Sequence, residues 1–168
     1  MPHLVRASLR HDRWLETEGR APRDLPADAI ADLRTTGNAL SVFEVTKAVS
    51  AERIATALAA APGKKEPDHT AYAVFDSVAV ERLGISITRT PGDTIDAAAN
   101  LLHYDLLIGT AGKLIEFAAV IAAVPIVPIT KKRVGELVKA GFESGHLDHT
   151  RNPPLRDRVK AQIPTRPP

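Results

Sequence analysis

The first half of the chain reads as short apolar runs separated by polar links, and the second half as longer stretches with apolar residues at three- and four-residue intervals. Four runs predict strands: residues 4–9, residues 40–45 with Val42, Phe43 and Val45, residues 71–75, and the alternating residues 85–89. Thr90-Pro91-Gly92-Asp93 then reads as a turn, because proline presets one dihedral and glycine frees the next. Between these runs lie helical patterns. One begins near Asp24 or Leu25, with Pro26 in its first turn, and reaches about Arg34; another is capped by Ser50 and stopped by Pro62-Gly63. Residues 78–83 predict a further helical turn, ended by Gly84.

From Asp96 onward the spacing predicts helix. Asp96 caps one to about Leu107, and Thr110 caps the next, which runs to Val124 with Lys113 and Glu116 its only charges. So apolar a surface predicts a buried central helix. Pro125 and Pro128 break it with an extended segment, after which Thr130 caps an amphipathic helix through Val134, Leu137, Val138 and Phe142, closed by Gly145. The fold expected is mixed α/β of the α+β kind. A small three- to four-stranded sheet carries covering helices and a C-terminal helical layer, with some parallel pairing. Residues 1–150 form a single globular domain in this reading, and residues 151–168 a basic arm rich in Pro and Arg. Within that arm Leu155, Val159 and Ile163 recur every four residues, enough for one docking turn.

Composition narrows the picture. A chain of 168 residues with 44% hydrophobic residues can bury a full core, and the 4% aromatic share makes that core aliphatic. Zero cysteines exclude disulfides, thiolate zinc sites, iron–sulfur clusters and thiol catalysis, and suggest a cytoplasmic address. The longest apolar run, residues 117–129, is shorter than a bilayer span and contains two prolines, so no membrane association is expected. A formal charge of +2 is too small to imply nucleic acid globally, which leaves only local clusters.

Those clusters carry the candidate chemistry. On the helix expected from Asp96, Asp105 falls on the apolar arc while His103 faces away toward the surface. A carboxylate there serves either as an acid/base group in a cleft or as a structural partner of an Arg or of backbone amides. Asp76, at the carboxyl end of its strand, is a further catalytic candidate. Lys131, Lys132 and Arg133 oppose the dipole of the last helix and, with Arg151, Arg156, Arg158 and Lys160 of the tail, form a candidate anion- or partner-binding set. His146 and His149 are candidate metal ligands, though they follow Gly145, where the helix ends; with His103 excluded, His3, His11 and His69 are the only distant histidines to join them. Asp24, Asp28 and Asp32 read as a solvated acidic stripe.

Phosphate-loop and nucleophile-elbow signatures are missing, and no cofactor is expected. The leading expectation is a non-catalytic cytoplasmic accessory protein that binds a protein partner, as in a bacterial toxin–immunity or defence assembly. The alternatives are a nucleic-acid-associated protein that binds phosphate through Lys131–Arg133 and the arm, and a hydrolase with Asp105 as its acid/base group. The oligomeric state is left open.

Overall fold

The computed structural model describes residues 2–17, 20–66 and 68–161. Six strands form one sheet: β1 (His3–Leu9), β2 (Ala39–Val45), β3 (Thr70–Asp76), β4 (Ser86–Arg89), β5 (His103–Leu107) and β6 (Ile126–Ile129), in the order β4-β5-β2-β1-β3-β6. Among the described residues seven α-helices accompany them: α1 (Ala27–Asp32), α2 (Ala51–Ala59), α3 (Ser77–Arg82), α4 (Ala97–Asn100), α5 (Ala111–Ala122), α6 (Lys131–Ser144) and α7 (Pro153–Ala161). The α/β class agrees with expectation. The strand count does not, and every pairing among the described residues is antiparallel, so no parallel pair forms among them.

Two segments account for the extra strands. The helix expected from Asp96 to Leu107 is one turn, α4, followed by β5; Tyr104, Leu106 and Ile108 turn to one core while His103 and Asp105 face the other way. The segment between Pro125 and Pro128 pairs as β6 on the sheet edge, with Pro128 opposite Ala71. An edge strand tolerates proline because one side of its ladder has no partner to lose.

Alternation along the strands feeds a core on each face of the sheet. Leu4, Leu9, Leu40, Val42, Ala71, Ala73, Phe75 and Leu106 pack with α1, α3 and α5. Val5, Ala7 and Phe43 face the opposite way, onto α2, α4, α6 and α7. The helices therefore form two layers, not one C-terminal layer. Helix α5 belongs to the first: it buries Phe117, Ala118, Ile121 and Ala122 but leaves Glu116 exposed, so it covers a face instead of lying at the centre.

Side-chain caps fix where the helices begin. Ser50, Thr110 and Thr130 each accept from the backbone N–H three residues on, and Asp96 accepts from those of Ala98 and Ala99. Gly145, at φ 77°, ends α6 in the left-handed region that glycine adopts without a Cβ clash. The acidic stripe is only partly solvated. Asp32 is buried and accepts from Trp14 Nε1 at 3.0 Å and from the Arg10 backbone N–H at 2.7 Å, while Asp24 and Asp28 stay exposed. Residues 162–168, including Ile163 and Arg166, lie outside the described residues, as does the Lys160 side chain. Leu155 and Val159, on α7, are buried in the second core. Among the described residues no helix is long and apolar enough to cross a membrane.

Candidate active site in a parted sheet

The site begins with a break in the middle of the sheet. Strands β1 and β2 pair only from His3↔Val45 to Val5↔Phe43, after which β1 follows β3 and β2 follows β5. Beyond Val5 the two central strands part. The register of β1 shifts between Ala7 and Leu9, and Ser8 between them sits at φ 63°, a left-handed conformation unfavourable for a residue with a Cβ. Arg6 reaches across the gap and donates from Nη1 to the Ser41 carbonyl at 2.8 Å.

That position is costly for a guanidinium. Burial pulls the Arg6 pKa down to about 10, with the Asp32 charge opposing it, and Nε is buried without a hydrogen-bond partner among the described residues. Beside it opens a cavity of about 550 Å³. Arg6, Arg34, Ser41, Phe43, His103 and Asp105 line it, together with Asp93 and Thr94 from the loop after β4. Arg34 is exposed and makes no ion pair among the described residues.

His103 and Asp105 share the cavity wall because strand geometry puts residues two apart on one face. His103 is buried, not on the surface as its helical phase suggested, and its ring meets Phe43 edge to face at 4.9 Å. Thr90 stands between the two. Its hydroxyl donates to Asp105 Oδ2 at 2.9 Å and lies 2.8 Å from His103 Nδ1, while His103 Nε2 is 4.0 Å from Asp105 Oδ1. Asp105 has no arginine or backbone-amide partner among the described residues.

The loop that delivers Thr90 is held from several sides. A Cβ on Gly92 would lie 2.8 Å from Asn100 Cα and 3.1 Å from His103 Cβ, so only glycine fits without a shift of backbone. Asn100 accepts from the Thr94 backbone N–H at 2.7 Å and donates to the Thr94 carbonyl at 3.0 Å. Arg151 donates to the Thr94 carbonyl and to Asp93. Beneath the loop, Arg53 grips the fully buried Asp96 through two contacts, Nε to Oδ2 at 2.5 Å and Nη2 to Oδ1 at 2.9 Å.

The remaining candidates fall elsewhere. Asp76 accepts from the Val78 backbone N–H at 2.9 Å as the cap of α3 and does not line this cavity. Lys131, Lys132 and Arg158 meet around a second, open concavity of about 550 Å³ beside Glu66, which pairs with Lys131 at 2.8 Å and with Arg158. The two cations hold the Glu66 pKa below the ordinary carboxylate value. Arg133 pairs with Glu52 and Glu136, Arg151 with Asp93, and Arg156 with Asp157. Lys132 makes no ion pair among the described residues. His146 contacts Ser144 Oγ at 2.7 Å and is pulled below its usual pKa by burial and then by Arg53, whereas His149 stacks edge-on with Phe142. The described residues contain no group of three or more His, Cys, Asp or Glu placed to hold a metal.

Reading the sequence by helical phase passes over Arg6, Arg34, Thr90 and His103. Two signals were available: a lone Arg inside the apolar run Leu4-Val5-Arg6-Ala7, and two-residue periodicity from His103 to Leu107. Compared with protein-family models, curated proteins and solved structures, the chain matches none, so the chemistry of this site rests on its own geometry.

Proposed function

We propose that the protein is a hydrolase of small molecules, working by general acid–base catalysis in the cavity where β1 and β2 part. One observation carries the proposal: His103, Thr90 and Asp105 form a connected polar cluster that shares its cavity with two guanidinium groups. The cavity volume lies within the range of small-molecule sites.

Proton accounting assigns the roles. An ionised Asp105 only accepts, so the single Thr90 hydroxyl proton goes to Asp105 Oδ2, and the 2.8 Å contact to His103 requires a proton on Nδ1. In the neutral ring Nε2 is then bare and able to act as a base. With an ester as substrate, it takes a proton from water as the water oxygen bonds to the electrophilic centre. Asp105 Oδ1, 4.0 Å away, balances the imidazolium. The bond to the leaving oxygen then breaks, that oxygen takes the proton from Nε2, and the neutral ring returns. Arg6 and Arg34 offset the negative charge that builds on the substrate.

A protein partner or nucleic acid at the α6–α7 face is a weaker proposal. Of the seven cations that suggested it, five already hold carboxylates, so a new contact with any of these five displaces an existing ion pair.

A panel of chromogenic carboxylic, phosphomonoester and phosphodiester substrates tests the hydrolase reading. Turnover of at least one class is expected, reduced by roughly 10²- to 10⁴-fold in His103→Gln and in Asp105→Asn, with both variants folded by circular dichroism. Turnover no faster than buffer across the panel, or unchanged rates in both variants, overturns it.

A further inference from the structure

The cavity has a second lobe, and its lining differs from the first. About 330 Å³ in volume, it shares Arg6, Ser8, Arg34 and Leu58 with the acid–base lobe, so these residues form a waist between the two. Its described lining holds five Arg or Lys against two Asp, whereas the acid–base lobe holds two against two. In the second lobe Arg10 is committed to Asp12 and Arg13 to Asp32. Arg6, Arg34 and Lys64 have no carboxylate partner among the described residues. Arg6 also keeps a buried Nε with no acceptor, a donor that folding has desolvated without compensation.

We propose that this waist and lobe bind the phosphate group of a small phosphate ester. Two cations without an ion pair at the waist, Arg6 and Arg34, and a third in the lobe, Lys64, suit a dianion with several acceptor oxygens. A carboxylate brings one charge and two oxygens, which leaves most of these donors unanswered. The volumes of the two lobes fit a small molecule and are far too small for a duplex. Phosphate binding follows from the cations alone; it rests on the hydrolase reading only in placing the bond to be cut next to His103.

Calorimetric titration at low salt with glycerol 3-phosphate and with glycerate, which share a three-carbon polar skeleton, separates phosphate from carboxylate. Glycerol 3-phosphate is expected to bind at least tenfold more tightly than glycerate. Arg34→Ala and Lys64→Ala, both at exposed positions, should each weaken phosphate binding by tenfold or more, and Lys132→Ala, away from the cavity, by less than twofold. Equal affinity for the two ligands overturns the proposal, as does an affinity insensitive to Arg34→Ala or equally sensitive to Lys132→Ala. Phosphate binding without turnover of any ester would leave this site standing and remove the hydrolase reading, and turnover without phosphate binding would do the reverse.

Discussion

Arg6 holds the clearest conflict between stability and use. Its pKa falls well below the ordinary arginine value, to about 10, because folding encloses the guanidinium, so the folded state disfavours the charge it carries at neutral pH. A shift of that size corresponds to roughly 3 kcal/mol, and the net cost is smaller because part of the side chain reaches solvent and because the bond to the Ser41 carbonyl returns about 1 kcal/mol. Arg6→Met should therefore raise stability by on the order of 1 kcal/mol, read as a higher urea midpoint at unchanged slope, while phosphate binding is lost. The sign extends to pH. From about pH 10 up to the ordinary arginine value the unfolded chain holds this proton more tightly, so the Arg6 contribution to stability rises with pH there, and the difference between wild type and Arg6→Met should narrow. A variant that is less stable at pH 7 would make Arg6 a structural residue. Asp105 was legible as costly in the sequence because a carboxylate fell among Leu101, Leu102 and Leu106. Its neighbours were not, since a helical phase sends His103 to the opposite side and a strand brings it to the same wall.

At the scale of elements, the segment after Asp96 shows why periodicity alone misled. Leu101, Leu102 and Leu106 fit a helical arc, yet Leu101 is 69% exposed and the chain turns there from α4 into β5. The cap at Asp96 was readable; the length of the helix it starts was not, because β2 offers five cross-strand partners that a local pattern cannot reveal. Asp96 itself does more than cap. It accepts from the Ala98 and Ala99 backbone N–H groups and holds Arg53 with both oxygens, joining α4 to α2 beneath the loop that carries Thr90. Asp96→Ala leaves the Arg53 charge without its carboxylate and two amides uncapped, and should cost about 3–5 kcal/mol in chemical denaturation. Arg53→Met removes the cation and leaves Asp96 alone and fully buried, with a loss of similar size expected. A loss below about 1 kcal/mol in both variants would show that the pair does not hold these elements together.

For the whole molecule the question is where the body of the protein ends. Proline and arginine content gave residues 151–168 the look of an arm, and the four-residue recurrence of Leu155, Val159 and Ile163 was the only sign of anything else. Composition is a poor guide here because one short helix needs only two well-placed apolar residues to dock. Leu155 is fully buried and Val159 nearly so, in the same core as Val5, Ile54 and Val138. Asn152, also fully buried, donates to the Ala60 and Ala61 carbonyls at 2.9 Å each, closing the end of α2, and its Oδ1 accepts from the Leu155 backbone N–H. Arg151 adds the hold on Asp93 and Thr94 at the cavity. Truncation after residue 150 should therefore strip one face of the sheet of part of its cover, free the Ala60 and Ala61 carbonyls and loosen the loop behind His103. We expect the truncated chain to lose several kcal/mol or fail to fold cooperatively, and Leu155→Ala alone to cost about 2–5 kcal/mol. Arg156→Ala, at an exposed ion pair with Asp157, should change stability by less than about 1 kcal/mol. Urea unfolding of the four proteins decides the matter: a truncated chain that unfolds at the wild-type midpoint with the wild-type slope would make residues 151–168 an arm after all.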